Sequence, residues 1–404
     1  MALALAYPDL RDVAYKTVPA EPGRPMAISQ PTSERHLPTW ARLMLVIGLL
    51  YTFLAGVKFL ESGIKAFGSE AAADLFEGIS NPLAGLFAGI LATVLVQSSS
   101  VSTATIVGLV GSGTLPFDTA VPMIMGANIG TTVTNTLASL GHIRRSEEFK
   151  RAFAGATMHD FFNLMAVSVL LPLELITGFL SSIAEKMAEW LSDAGVQGGE
   201  LGDSPLKSAV KWPVDQVKEI LDGASENVLG SILLIVGLGL IFLSLAFITK
   251  NMKQVLAGRI ERSMNDILSR GGGIAAMLVG LVLTVAVQSS SITTSILIPI
   301  IAAGVLTLKN AYPITLGANV GTTITALLAS LATDRPEALA IALTHTIFNL
   351  SGILLFYPLP QLRYLPIRAA ERLAEVALSN RALAVSYVVG TFVILPLVGI
   401  VLLG

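Results

Sequence analysis

Two runs of neutral, hydrogen-bonding side chains interrupt an otherwise apolar sequence. The first is VQSSSVSTATI, which begins at Val96, and the second is VQSSSITTSIL, which begins at Val287. A helix that begins just after such a motif has free backbone N–H groups and a positive dipole end, which attract an anion. We therefore predict that the two motifs hold an anionic substrate through Gln97, Ser98, Ser99, Ser100, Gln288, Ser289, Ser290 and Ser291.

Helix–helix packing is the alternative explanation for these side chains, since Ser and Thr often form hydrogen bonds between transmembrane helices. The density of the run and its repetition favour a binding site. Neither motif contains Lys or Arg, so an anion bound there would meet only dipoles and neutral donors. Because dehydrating an anion costs several kcal/mol, we expect cations to bind beside it.

A second motif is also repeated, as GANIGTTVTNTLASL from Gly126 and GANVGTTITALLASL from Gly317. Its glycines, with Gly130 and Gly321, permit either local unwinding or close helix packing, and both interpretations stay open. Side-chain oxygens and the carbonyls that end a half-helix suit a hard cation. The predicted cation ligands are Gln97, Ser102, Thr103, Asn128, Thr131, Thr132, Gln288, Thr293, Thr294, Asn319, Thr322 and Thr323.

One further repeated pair is His159-x-x-x-Asn163, which recurs as His345-x-x-x-Asn349. Residues four apart lie on one helix face. A transition-metal site is a poor match, because the two histidines lie in separate halves with no cluster of carboxylates. We favour hydrogen bonding between helices.

Asp160 has Thr346 as its counterpart, so the two halves differ there by one charge. A carboxylate inside the membrane is a functional candidate by default. We place Asp160 near the cytoplasmic end of its helix, which weakens that case.

The composition requires a lipid bilayer. The 404 residues are 53% hydrophobic and only 13% charged, with a mean hydropathy of +0.72. Soluble chains carry roughly 25% charged residues. No basic tract points to nucleic acid, and the absence of cysteine excludes disulfides and thiol catalysis.

Some apolar stretches are too short to cross a bilayer. Residues 83–96 and 274–287 stop at the polar motifs, well below the ~20 residues that a span requires, and 101–115 and 292–308 follow them. We predict a re-entrant hairpin or broken helix at each motif. Seven other segments are long enough to span, at 41–60, 119–140, 152–180, 228–249, 311–331, 338–358 and 382–403.

The chain is a duplication. The offset of 191 residues between the motifs also aligns Gly89 with Gly280 and Thr93 with Thr284. Loops at 144–151, 250–270 and 363–381 are basic, whereas 185–227 is acidic. The positive-inside rule then places the basic loops in the cytoplasm and inverts one half relative to the other.

The predicted fold is an all-α polytopic membrane protein with two inverted repeats. We divide it into a flexible cytoplasmic N-terminal tail (1–40), a first transmembrane repeat (41–184), an extracytoplasmic acidic linker (185–227), a second transmembrane repeat (228–360), and an interfacial helix with a terminal span (361–404).

These motifs resemble the type II sodium-dependent phosphate cotransporters. The resemblance covers most of the chain beyond residue 40. It rests on both Gln-Ser-Ser-Ser motifs and on MGANIGTTVTN at 125–135, RAFAGATMHDFFN at 151–163, AYPITLGANVGTTITALLASL at 311–331 and FNLSGILLFYPLPQLRYLPIR at 348–368. The cysteine-free segment 185–227 lacks the disulfides of eukaryotic members, which favours a prokaryotic member.

The resemblance implies sodium-coupled symport of inorganic phosphate by alternating access, with the two motifs facing each other around the substrate. It implies a multi-pass protein of the cell (inner) membrane with sodium as the coupling ion and no other cofactor. A homodimer and a monomer both stay open. Two other functions compete with symport: an ion or anion channel with paired re-entrant loops, and an intramembrane Ser hydrolase. The hydrolase ranks last, because the serines are duplicated and Asp160 is not.

Overall fold

The structure is a computed structural model that describes residues 38–66, 81–193, 205–270 and 272–404. In these ranges every regular element is a helix, in agreement with the predicted class. The helices are α1 (Thr39–Ala66), α2 (Pro82–Val96), α3 (Ser99–Ser112), α4 (Phe117–Gly130), α5 (Val133–Ser139), α6 (Ser146–Thr177), α7 (Phe179–Asp193), α8 (Pro205–Ile220), α9 (Glu226–Arg270), α10 (Gly273–Val287), α11 (Ser290–Ala302), α12 (Leu308–Ser330), α13 (Pro336–Phe356), α14 (Pro360–Arg363), α15 (Leu365–Ser379), α16 (Arg381–Val389) and α17 (Leu395–Leu403), with a 3-10 turn at Leu140–His142 and a π-helical turn at Gly390–Ile394.

Five helical segments in the described part are long and apolar enough to cross a membrane. They match five of the seven predicted spans and lie at Trp40–Ala66, Ser146–Thr177, Glu226–Met252, Pro336–Phe356 and Arg381–Leu403. The membrane character of the chain is therefore supported by its helices as well as by its composition.

The predicted span 119–140 is divided into α4 and α5 at Thr131 and Thr132, where the hydrogen-bond pattern is irregular although both residues keep right-handed helical dihedrals. Its counterpart 311–331 is continuous as α12. Helix α12 is not among the five candidate membrane-spanning segments, since its Thr and Asn residues make it more polar than those segments.

The two short apolar segments are confirmed as short helices that end at the motifs. Both α2 and α10 have 15 residues, so each is about 22 Å long at 1.5 Å per residue. A bilayer core is about 30 Å thick. Each helix stops at its Gln, and α3 or α11 begins two residues further on.

Glycine packing explains how α2 pairs with α4 and α10 with α12. A Cβ atom at Gly126 would lie 1.9 Å from the carbonyl oxygen of Leu86, and one at Gly317 would lie 1.8 Å from that of Met277. Only glycine permits so close an approach of two backbones. The packing interpretation of these glycines is confirmed, and the helix continues through both.

The helices after each motif cross into the other half of the chain. Helix α3 packs against α12 and α13, and α11 packs against α5 and α6. The amphipathic helices exchange in the same way, since α7 packs on α13 and α15 packs on α6. The two halves therefore share one core around the motifs.

Two predicted loops differ in the structure. Residues 250–270 are a helical extension of α9 instead of a loop. The described parts of 185–227 are also largely helical, as the end of α7 and as α8. Residues 194–204 and the tail up to residue 37 lie outside the described residues.

The interfacial helix expected at the start of 361–404 is present as the amphipathic helix α15. It buries Ile367, Ala370, Ala374 and Ala377, which recur every three or four residues. Its location at the membrane interface stays a prediction.

Candidate functional site

Each motif turns the chain with a glutamine in the left-handed conformation. Gln97 has φ 56° and ψ 24°, and Gln288 has φ 55° and ψ 30°. Within the described residues these are the two non-glycine positions with positive φ. Such a conformation costs about 1–3 kcal/mol for a side-chain-bearing residue and tends to occur at functional sites. Its presence at both motifs indicates that the turn itself is required.

The glutamine side chain closes the end of the helix before it. Its amide nitrogen donates to the carbonyl of the third residue back at 2.6 Å, Val94 for Gln97 and Val285 for Gln288. This satisfies a carbonyl that has no partner within the helix. The amide oxygen stays free to accept a different hydrogen bond, and a threonine supplies it.

That threonine is equivalent in the two halves. Thr134 Oγ1 donates to Gln97 Oε1 at 3.3 Å, and Thr325 Oγ1 donates to Gln288 Oε1 at 2.9 Å. Both threonines follow the Gly-Thr-Thr part of the second motif. The repeated sequences therefore meet in space within each half.

The first serine of each motif begins the next helix. Ser98 Oγ accepts from the Val101 N–H at 3.3 Å, and Ser289 Oγ accepts from the Ile292 N–H at 3.4 Å. N-cap serines commonly satisfy one of the free N–H groups of a helix. The other N–H groups of the first turn, which have no partner in the helix, remain as donors.

The two motifs touch each other. Ser100 Oγ donates to the Gln288 carbonyl oxygen at 3.0 Å across 188 residues of sequence. Ser291, the equivalent serine, instead reaches the Thr131 carbonyl oxygen at 3.5 Å. Ser99 and Ser290 are 5% and 1% exposed. All eight predicted substrate residues thus lie in one region where the two halves of the chain meet.

The predicted cation ligands are buried, with Gln97 as the exception. The hydroxyls among them donate to carbonyls of their own helices, as Thr131 does to Ala127 at 2.9 Å and Thr322 does to Ala318 at 3.1 Å. A hydroxyl that donates its proton keeps oxygen lone pairs. These oxygens are compatible with a cation, and their role stays a prediction.

The first repeated His–Asn pair links the two halves of the chain. His159 Nε2 lies 2.6 Å from Asn319 Oδ1, and Asn319 Nδ2 donates to Asn163 Oδ1 at 2.8 Å. Asn163 in turn donates to the Asn128 carbonyl at 2.8 Å. Hydrogen bonding between helices is confirmed for this pair.

The second pair makes the equivalent contacts with the asparagine of the other Gly-Ala-Asn motif, although Asn349 Nδ2 donates to the His345 carbonyl of its own helix. Asn128 Nδ2 donates to Asn349 Oδ1 at 3.1 Å, and His345 Nε2 lies 3.5 Å from Asn128 Oδ1. Both asparagines of the Gly-Ala-Asn motifs are therefore joined to helices of the opposite half. In the described ranges, no group of three or more His, Asp and Glu residues is placed to hold a metal ion.

Asp160 lies deeper than expected. Helix α6 begins at Ser146, before the predicted start at 152, so Asp160 is at mid-helix and has no exposed surface. Its carboxylate accepts from Thr136 Oγ1 at 3.2 Å and from Tyr387 Oη at 3.1 Å. The prediction that Asp160 lies near the end of its helix is therefore wrong, and a functional role for it stays a prediction. No sequence signal identifies Tyr387, which lies 227 residues further along the chain.

Comparison with known families assigns the chain. The sequence model of the Na+/Pi-cotransporter family matches residues 52–194 and 240–358, which together are more than half of the chain. The chain belongs to this family. Both matched ranges contain a Gln-Ser-Ser-Ser break, so the family includes the two regions that meet at Ser100 and Gln288.

Two curated relatives illustrate the similarity. The chain is 36% identical to the sodium-dependent phosphate transport protein 2A of Rattus norvegicus over 88% of this chain and 66% of the relative. It is 36% identical to the sodium-dependent phosphate transport protein 2B of Homo sapiens over 88% of this chain and 64% of the relative. The chain thus spans about two thirds of the length of the curated relatives that it matches. No solved structure matches it.

Family membership confirms the resemblance and the class predicted from the sequence. The matched relatives are named as transport proteins and the family as a cotransporter, so the class is a transporter rather than an enzyme. The intramembrane hydrolase is set aside on this ground. The assignment does not depend on any single motif, because the match extends far beyond them.

Proposed function

We propose that this chain is a secondary active transporter. It couples the uptake of inorganic phosphate to the movement of sodium down its gradient, by alternating access. The family and the names of the relatives support the substrate and the coupling ion. The observation that carries the proposal for the site is the hydrogen bond from Ser100 to the Gln288 carbonyl, which joins two motifs 188 residues apart.

In the proposal, phosphate lies between the two motif breaks. The first turns of α3 and α11 begin at these breaks, and their N–H groups and dipoles favour an anion there. Ser99 and Ser290 add hydroxyl donors, whereas Ser100 and Ser291 already donate their protons to the Gln288 and Thr131 carbonyl oxygens. The strained glutamines direct two helix ends and two helix starts toward the same place, which one uninterrupted helix could not do.

Sodium would neutralise the phosphate from the threonine and asparagine side. The buried hydroxyl oxygens of Thr131, Thr322 and their neighbours keep lone pairs, as a hard cation requires. Dehydrating an anion costs several kcal/mol, and neither motif contains a Lys or Arg that could offset this cost. Bound sodium offsets that cost, so phosphate binding should require sodium.

The proposed arrangement is an inverted repeat in the cell membrane with a cytoplasmic N-terminus. The 191-residue offset, the basic segments and the exchange of α3 and α11 between halves support it. In such transporters, one half rocks against the other around a fixed site at mid-membrane. The exchanged helices suit that motion, because each motif contacts the half opposite to its own.

Transport into liposomes tests the proposal. Purified protein should accumulate radiolabelled phosphate when sodium is higher outside, and should not when potassium replaces sodium. A channel would equilibrate phosphate without concentrating it. Equal uptake in potassium would disprove the coupling, and unimpaired uptake by both Gln97→Ala and Gln288→Ala would remove the motifs from the site.

A further inference from the structure

Asn135 makes a contact between the halves that has no equivalent in the other half. Its Nδ2 donates to Thr294 Oγ1 at 2.6 Å, and its Oδ1 accepts from Ser295 Oγ at 2.7 Å. Asn135 is 1% exposed and lies on α5, whereas Thr294 and Ser295 lie on α11. One side chain therefore joins two neighbouring positions of the helix that begins at the second motif.

The 191-residue offset shows that this contact is one-sided. The position equivalent to Asn135 is Ala326, and the position equivalent to Ser295 is Ala104. Both alanines are fully buried and have no side-chain group that could form the contact. The second motif is thus fixed by a pair of side-chain hydrogen bonds that the first motif lacks.

The same region of α5 is where the chain departs from its own repeat. Helix α4 ends before Thr131 and Thr132, whereas α12 passes without a break through the equivalent Thr322 and Thr323. After the break, α5 presents Asn135 to α11. The break and the contact therefore occur together in one half and are both absent from the other.

We propose that Asn135 is a positioning residue for the second half of the phosphate site. It holds α11 so that the first turn, at Ser290 and Ser291, faces the first motif. The inference rests on the proposed function, because it assumes that these two residues contact phosphate. Asn135 itself need not touch phosphate, since it acts through Thr294 and Ser295 one turn further along α11.

The test is sodium-driven phosphate uptake by Asn135→Ala and Ser295→Ala in liposomes. Loss of a buried hydrogen-bond partner should raise the phosphate concentration for half-maximal uptake about tenfold in Asn135→Ala and about threefold in Ser295→Ala. The double variant should be no worse than Asn135→Ala alone, because both substitutions break the same contact.

Ser139→Ala is the matched control. Ser139 is also buried on α5, but its hydroxyl donates to the Thr136 carbonyl of the same helix at 2.6 Å. It should leave half-saturation unchanged. If Asn135→Ala does not fold, Ser295→Ala carries the test alone, and its position tolerates alanine in the other half.

The inference is overturned if both variants keep normal half-saturation and only the melting temperature of Asn135→Ala falls, since the contact would then be purely structural. Additive effects in the double variant would also overturn it. Failure of the proposed function looks different: the unmodified chain itself would show no sodium-driven uptake.

Discussion

Gln97 and Gln288 adopt the same left-handed turn between two helices, yet Gln97 is exposed and Gln288 is only 6% exposed. The hydrogen bond from a threonine hydroxyl to the glutamine Oε1 is also longer at the exposed residue, at 3.3 Å for Gln97 and 2.9 Å for Gln288. The second break also receives Ser100 from the other half and is fixed through Asn135. Local sequence determines the turn, whereas contacts from the opposite half determine how closed each turn is.

This difference is compatible with the proposed inverted-repeat transporter when it is held in one of its two states. When two equivalent halves alternate, one side of the site is accessible while the other is closed. Under the proposed function, the exposed Gln97 would lie on the accessible side and the buried Gln288 on the closed side. Fixed differences such as Asn135 against Ala326 would then favour one state over the other.

The largest loss of stability should come from substitution of glycines that make the same close backbone contact in both halves. Gly126→Val and Gly317→Val each place a side chain within 2 Å of a backbone carbonyl, so both should cost more than about 3 kcal/mol of folding free energy and give no folded protein. Yield of monodisperse protein and its melting temperature measure this. Gly48→Ala is the control, because a Cβ atom there has nothing within 4 Å. Two well-folded valine variants would contradict the packing scheme.

Much of this architecture follows from the sequence. The repeat offset and the 15-residue helices were predictable, because a duplicated motif and a short apolar length are visible in the chain. The irregular hydrogen bonding between α4 and α5 at Thr131 and Thr132 was not predictable, since the same Gly-Thr-Thr residues lie inside one continuous helix in α12. Distant partners distinguish the two copies, and local sequence does not contain them.

Asp160 shows the same limit. Its type and its unequal counterpart Thr346 mark it as a candidate in the sequence. Its position was misjudged because α6 starts at Ser146, six residues before the predicted start of the span. Its partner Tyr387 comes from α16, and only the folded chain brings the two together.

Accessibility of the two glutamines can be measured directly, because the chain has no cysteine. Gln97→Cys should react with a water-soluble thiol reagent several times faster than Gln288→Cys, since thiol modification follows exposure. Mass spectrometry of the purified protein gives both rates. Equal rates in the two folded variants would mean that both positions are equally accessible, and would contradict the difference between Gln97 and Gln288.

A smaller difference is expected from the threonines that contact the glutamines. Thr325→Val leaves the buried amide oxygen of Gln288 without a donor and should weaken phosphate binding roughly tenfold. Thr134→Val removes a longer bond to an exposed group and should weaken it less than about threefold. Phosphate half-saturation in liposomes measures both. A larger loss of phosphate affinity in Thr134→Val than in Thr325→Val would contradict the conclusion that Gln288 is the more closed of the two turns.

Phosphate binding stoichiometry tests most directly whether the two motifs form one site. Equilibrium binding of radiolabelled phosphate should be measured in sodium and in potassium for the unmodified chain, Gln97→Ala and Gln288→Ala. We predict one phosphate per chain in sodium, none in potassium, and loss of all binding in either variant. Two phosphates per chain, with half of the binding retained in each variant, would show two separate sites and contradict the shared one.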